Sequence, residues 1–461
     1  MATQTLPLDA RDGGVPVSTT GEHPALVREP LGRLVWRVAA PAVASNLLMT
    51  TFLAADAFWI GRRLGATALA AVTGSVFWVW MGISVAEMVS IGLTALASRR
   101  HGERRPDLAA RAAGDALLLA VALGVVAAAA GHAAAGGMLA LMDAPPAVAT
   151  VGREYLRLYA LAAPALYGYF VVDATFRAAG DTRTPFLVLL ATVALGLALD
   201  PLFILGLGGF PALGVRGAAL ATAVPRGLAC VVGLAVLRRR GLLAFGRPSP
   251  RVLATVARVG LPTAATGVLF SVVYVVIGRT ASALGTPVLA ALGVGFRVES
   301  WLYMIGVGFG AAAAAVVGQN LGAGRVDRAE RAGWTMLGAA TVPAVVAASL
   351  SLLVPALLVG SFSRDAAVVA EASTYLRIAA VSQLVVCAEV VLEGALGGAG
   401  ATLAPMLWST GLTALRIPLA AWAGPRYGAE GLWWAISATA TARGVAMIVL
   451  WRAGGWKRDT V

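Results

Sequence analysis

Tyr155-Leu156-Arg157-Leu158 and Tyr375-Leu376-Arg377-Ile378 stand 220 residues apart in a chain of 461 residues. The same offset carries Leu64-Gly65-Ala66 with Leu69-Ala70-Ala71 onto Leu284-Gly285-Thr286 with Leu289-Ala290-Ala291. It also carries Gly102 and Asp107 onto Gly322 and Asp327, and Gly180 through Pro185 onto Gly400 through Pro405; Pro41 meets Pro262 one residue out of step. The chain therefore reads as two copies of one unit, and the composition says what kind. Apolar residues make up 59% and charged residues only 13%, with a mean hydropathy of +0.81. A soluble domain carries about 25% charged residues. So few charges cannot cover a water-facing surface of this size.

Crossing a bilayer takes about 20 apolar residues. Spans are expected near 34–60, 67–97, 113–137, 153–176, 185–207 and 214–237, then 255–282, 287–317, 333–358, 371–396, 404–424 and 429–452. The fold class is thus an all-α polytopic membrane protein, twelve transmembrane helices in two pseudo-symmetric six-helix lobes. Six is even, so both copies enter from the same side and the lobes are parallel repeats. The division is a tail 1–32, an N-lobe 33–240, a linker 241–253, a C-lobe 254–452 and a tail 453–461. Residues 1–32 are polar, lack the apolar core of a signal peptide, and are expected to be disordered.

The net charge is +13 and the pI about 10.8, with Lys457 the only lysine. Nucleic-acid binding would need a polar basic face carrying aromatics. Instead the arginines cluster between apolar segments, as in Arg99-Arg100-His101-Gly102-Glu103-Arg104-Arg105 and Arg238-Arg239-Arg240. With both termini placed in the cytoplasm, 22 basic residues fall at inner ends and loops against 9 at outer ones. That excess sets the orientation in the cell inner membrane, although Arg62-Arg63 lies on the outer side. Cys230 and Cys387 lie in apolar segments and the three histidines are scattered, so no disulfide framework, metal centre or cofactor is expected.

Several segments resemble one transporter family. Arg177-Ala178-Ala179-Gly180-Asp181-Thr182-Arg183-Thr184-Pro185 and Val317-Gly318-Gln319-Asn320-Leu321-Gly322-Ala323-Gly324 look like the cytoplasmic signatures of multidrug and toxic compound extrusion (MATE) transporters. Leu199-Asp200-Pro201-Leu202-Phe203-Ile204, Gly217-Ala218-Ala219-Leu220-Ala221-Thr222 and Ala55-Asp56-Ala57-Phe58-Trp59-Ile60-Gly61 fit as well. The resemblance runs from about 33 to 452. It implies a two-lobed monomeric antiporter that alternates between inward- and outward-open states, exchanging amphipathic cations for protons or sodium. Arg297-Val298-Glu299-Ser300 is more similar to DinF-like than to NorM-like members, and Val386 stands where NorM-like members carry an acid. Gly196 departs from the DinF-like pattern, which often has Asn there.

Charge at the bilayer centre costs at least about 2.5–3.5 kcal/mol, so intramembrane acids are functional candidates. Seven lie away from the ends of the spans: Asp56, Glu87, Asp173, Asp200, Glu299, Glu389 and Glu393. Asp56 lies about 33 Å along its helix from Leu34, and Asp200 about 22 Å from Pro185, both in the outer half. Two carboxylates at similar depth in one lobe can share a proton. Ile277 stands opposite Asp56 in the second copy, so this chemistry is asymmetric. The resemblance implies the same pair, since DinF-like members place their proton site on these aspartates. A static buried pair is the alternative.

Asn46, Asp173, Thr222, Glu299, Glu389 and Glu393 are the candidates for a substrate or cation cavity. Asp173 has Arg177 four residues on, so a plain ion pair competes. Glu389 and Glu393 share a face; one is protonated, or both meet a wet cavity, with Arg416 a candidate neutraliser. For Glu299, about 18 Å into its span from Pro287, the alternative is a structural pair. Glu87 has no visible partner in its own helix, and no role is assigned to it. Phe52, Trp78, Tyr274, Phe296 and Trp301 suit either stacking on a flat cation or an interfacial belt, while Trp433-Trp434 reads as belt. Pro41, Pro164, Pro225, Pro262 and Pro343 interrupt spans, and Asp200-Pro201 puts a carboxylate at such a break; Pro41 and Pro201 are the candidate hinges. The expected function is proton-driven export of amphipathic cations through the bilayer. The alternatives are sodium coupling and a lipid-linked precursor flippase. The flippase would want a basic cavity, whereas seven acids face four arginines within the spans. An intramembrane enzyme would need Asp-rich or His-containing motifs, and none appears.

Overall fold

The computed structural model describes residues 24–141, 145–209 and 211–458. All regular structure among them is helical. Span α1 begins as Leu31–Leu34, passes through a π-helical turn at Val35–Ala39 and continues as Ala40–Leu64. It is followed by α2 (Ala66–Gly102), α3 (Pro106–Ala140), α4 (Pro146–Leu161 and Ala163–Ala178), α5 (Arg183–Leu205) and α6 (Val215–Arg239). The second copy has α7 (Pro250–Leu284), α8 (Thr286–Gly322), α9 (Val326–Leu353) and α10 (Ala366–Ala399).

The remaining helix, Leu403–Ala453, has 51 residues, about 76 Å of α-helix, far more than a bilayer. Gly428, at φ +63°, breaks it into α11 (403–427) and α12 (429–453). The two halves of α4 bend by 50° at Ala162, where Pro164 sits in the first turn of the second half. With α4 counted as one bent span and α11 separated from α12, ten long apolar helices become the expected twelve.

Inside the first lobe α2 packs on α3 and α4, and α5 on α1 and α6; inside the second, α10 packs on α8, α9 and the 403–453 helix. The lobes meet where α2 lies against α7 and α8, and where α8 lies against α1. Backbones touch there because the residues are glycine. A Cβ on Gly102 would overlap Gln319 O, and one on Gly322 would overlap Arg99 O. Arg99 with Gln319 and Gly102 with Gly322 are both repeat mates, so this contact sits on the pseudo-two-fold axis. Gly92 meets Val256, Gly260 meets Met88 and Gly308 meets Val43 in the same half of the molecule, the half carrying the Arg99 and Arg238 runs.

In the opposite half the glycines of α7 report a looser approach. Gly267 of α7 faces Ser84 Oγ of α2, a Cβ there falling 2.6 Å from it. Gly278 is eleven residues on, three helical turns along the same face, and among the described residues a Cβ there would meet nothing within 4 Å.

Four expected boundaries need correction. Residues 1–23 lie outside the described residues, but 24–32, expected within the disordered tail, form a strap across the basic end. Leu26 and Val27 of the short helix Ala25–Arg28 are buried. Leu26 covers Gly180 of the first lobe, while Asn320 Nδ2 and Arg325 Nη1 of the second donate to Leu26 O and Val27 O at 3.3 and 3.2 Å. Glu29 pairs with Arg37, and its carbonyl accepts from Arg328. An apolar pair can stay dry beneath a charged rim, which polar composition alone does not reveal. The linker is shorter than 241–253, because Ser249 caps α7 and Pro250 starts it; Ala244 N donates to Ala110 O at 3.0 Å and moors it to α3. At the other terminus Trp456 stacks on Trp451 at 4.1 Å and Lys457 pairs with Glu330 at 2.6 Å, so 455–458 are docked rather than a free tail. Pro355 ends α9 near 353, short of the expected 358.

Candidate functional site

Pro41 has no N–H to offer the carbonyl of Arg37, one turn earlier. The π-helical turn at Val35–Ala39 absorbs the ring, and Thr182 Oγ1, from the loop before α5, donates to Arg37 O at 3.3 Å. This ties the base of α1 to α5, the two helices that carry Asp56 and Asp200.

Asp56 is 5% exposed and Asp200 is fully buried. Neither oxygen of Asp200 has a hydrogen-bond partner, nor has Asp56 Oδ1, and neither carboxylate has a cation within ion-pair distance among the described residues. The two are electrostatic neighbours, as the sequence predicts. Reasoning from the sequence missed their surroundings. Arg226 of α6 reaches the same pocket, bonding Tyr159 Oη at 3.4 Å and Met49 Sδ at 3.8 Å, and acts on Asp56 through space. Tyr155 stacks on Tyr159, with centroids 5.9 Å apart, and is an electrostatic neighbour of both aspartates. The signal for Arg226 was its position inside a span; Tyr155 was visible only as a repeat. Phe52 is buried against Gly196, whose missing side chain leaves room for the ring. The departure from Asn at 196 is therefore filled by an aromatic. Pro201 lies within α5 next to Asp200, and Thr222 is buried in α6.

The other candidates are largely engaged. Asp173 pairs with Arg177, whose Nη2 also donates to Ser90 Oγ at 3.2 Å, so the plain ion pair is what forms and it ties α4 to α2. Asn46 is a strut between lobes, its Nδ2 donating to Met304 O at 3.2 Å. Glu299 accepts from Tyr375 Oη at 2.5 Å, the structural-pair alternative, because its helix turns it into the second lobe. Glu389, 5% exposed, pairs with Arg443 at 3.2 Å; Arg416, the expected neutraliser, acts on Glu389 through space while bonding Thr439 Oγ1 at 2.9 Å and lying over Tyr274. Trp433, expected in an interfacial belt, is fully buried and meets Tyr375 edge-on at 4.8 Å, whereas Trp434 is exposed.

Glu87 and Glu393 stand apart from this pattern. Both are half-buried, and neither carboxylate has a hydrogen-bond or ion-pair partner among the described residues. They come from different lobes and are electrostatic neighbours. Trp301 and Tyr303 of α8 are exposed, as is Phe296 nearer the open end, its ring packed on Tyr274 at 5.4 Å between centroids.

The MatE family model matches residues 41–202 and 262–422, once in each lobe. The chain is 30% identical over 435 residues to a probable multidrug resistance protein NorM of Burkholderia mallei, covering 90% of this chain and 91% of that protein. It is 27% identical over 439 residues to a probable multidrug resistance protein NorM of Thermotoga maritima, covering 92% and 93%. Its fold is similar to a structure described as the outward-facing conformation of a multidrug resistance MATE family transporter, with TM-score 0.87, 22% identity and coverage of 94% and 98%. Two matched repeats, relatives aligned along nearly their whole length and a shared twelve-helix architecture place this multi-pass membrane protein in the MATE family of transporters.

Proposed function

We propose that the chain is a secondary active exporter of amphipathic, cationic small molecules that works as a monomer and is driven by protons through Asp56 and Asp200. The observation that carries this is the pair itself, two neighbouring buried carboxylates without an ion-pair partner. A second negative charge there is costly, so binding and release of a proton changes the pair's energy and the packing of α1 against α5. Arg226 beside the pair favours protons over sodium, because it repels a second fixed cation. The basic end then faces the cytoplasm by the excess of arginine, and the open half faces outward. The relatives' names support multidrug efflux as the class of transport.

Efflux from proteoliposomes under a pure pH gradient, then a pure sodium gradient, tests this. The pH gradient alone is expected to drive efflux, and Asp56→Asn or Asp200→Asn to reduce it at least about tenfold, the scale of one lost proton-transfer group. Full pH-driven efflux in Asp56→Asn overturns the assignment.

A further inference from the structure

Ile91 of α2 and Gly397 of α10 meet across the lobe boundary, a Cβ at 397 lying 3.7 Å from Ile91 Cγ2. Both helices run toward the basic end, so four residues back along each leads one turn, about 6 Å, toward the opening. Those positions are Glu87 and Glu393. The lobe boundary thus carries one carboxylate from each side at the same depth, both half-buried and, among the described residues, both without a hydrogen-bond or ion-pair partner. The nearby cations are already used: Arg177 serves Asp173 and Ser90, and Arg443 serves Glu389 and Thr413. Four carboxylates, Glu87, Asp173, Glu389 and Glu393, therefore outnumber the guanidiniums that act on them, Arg177, Arg443 and, on Glu389 through space, Arg416.

A second observation points to the same spot. Glu389 is 5% exposed, and its Oε2 has no hydrogen-bond partner. It stands one turn from Glu393 on the same face, within electrostatic reach of Glu393 and Tyr303. Tyr303, half-exposed on α8, has Glu393, Glu389 and Glu87 as its charged neighbours together with Arg443. An aromatic face beside unpaired carboxylates suits an organic ammonium or phosphonium, whose charge is diffuse and whose body is apolar.

We propose that Glu87 and Glu393 jointly hold one monovalent organic cation at the floor of the opening, with Tyr303 against its face. The bound cation is then shared by both lobes, and its charge favours the state in which α2 and α10 lie together. This rests on reading the chain as a cation exporter, but it concerns binding and needs no gradient.

The test is equilibrium binding of ethidium and of tetraphenylphosphonium to the full-length protein in nanodiscs, with the neutral dye Nile red as control. Glu87→Gln and Glu393→Gln are each expected to weaken both cations about tenfold while leaving Nile red within twofold. The double substitution is expected to lose less than the product of the singles, because one cation is shared. Glu87→Asp and Glu393→Asp, which keep the charge should a Gln variant not fold, are expected to stay within about fivefold of wild type. Tyr303→Leu is expected to weaken the cations about threefold to fivefold. Cation binding within twofold of wild type in both Gln variants, equal losses of Nile red, or no cation binding by wild type overturns the proposal. Wild-type binding that is weakened by Glu87→Gln and Glu393→Gln while a pH gradient fails to drive efflux would overturn proton coupling and leave this site standing, so the two failures give different results.

Discussion

Tyr155 and Tyr375 are the same residue of the two repeats, and each stands beside carboxylates. Tyr155 neighbours Asp56 and Asp200, which have no ion-pair partner among the described residues; Tyr375 donates to Glu299, and the other buried charges of its lobe are bonded to Arg443, Thr413 or Thr439. The first repeat draws its acids from α1 and α5, where the second has Ile277 and Ala420, both fully buried. One backbone plan therefore supports two uses of charge. The first lobe keeps a buried pair of carboxylates whose state is free to change, and the second fixes its buried charges in place, with half-buried Glu393 the exception at the lobe boundary. Duplication conserved the helices and their packing; single side chains then separated a lobe suited to titration from a lobe suited to rigidity.

The sharpest way to break this contrast is to remove acids from each lobe and read transport and stability separately. Asp200→Asn is expected to abolish pH-driven efflux without lowering the unfolding temperature, since the native carboxylate has no partner to lose. A large loss of thermal stability in that variant would make the pair structural. Arg443→Met is expected to do the reverse first, leaving Glu389 buried and uncompensated at a cost of about 3–5 kcal/mol. A drop in unfolding temperature, partly restored by adding Glu389→Gln, is the outcome to look for.

The axis between the lobes offers a smaller effect. Gly322→Ala puts a methyl group into Arg99 O and is expected to cost the closed basic end about 1–3 kcal/mol. Cysteine-labelling rates at a position in the opposite, open half are expected to fall as the open state is depopulated. Unchanged labelling would mean that the helices part easily there.

The smallest effect lies outside the bilayer, at Asp181. Burial would raise its carboxyl, but hydrogen bonds from Thr184 and Arg240 outweigh this and hold it below the usual carboxylate range. Thr184 Oγ1 donates at 2.5 Å and Arg240 Nη1 at 2.6 Å, joining the loop before α5 to the end of α6. A depressed folded-state pKa means that this stabilisation is fully present above about pH 4 and is lost as pH falls through the folded value. Asp181→Asn is expected to melt a few degrees below wild type at pH 7, with the gap closing in acid. A gap that persists at pH 3 would assign the effect to packing.

Much of this was legible in the sequence. The 220-residue offset gave the duplication, the apolar runs gave twelve spans, and the rarity of charge in those runs singled out Asp56 and Asp200. The ends were misread because Leu26, Val27 and Trp456 are short apolar interruptions in polar stretches, and their burial depends on chain arriving from both lobes. Glu299 and Asn46 were misplaced for a related reason: helical periodicity fixes which residues share a face, but the neighbour determines what that face meets.

The sequence by itself determined the helices, their number, the two-fold plan and the depth of each charge, because these follow from local hydropathy and a constant rise per residue. Only the tertiary structure decided which charges are satisfied. Arg226 beside Asp56, Arg443 on Glu389 and Glu87 level with Glu393 each join helices far apart in the chain. The strength of a charge interaction depends on separation in space and on the local dielectric, and neither is encoded in sequence spacing.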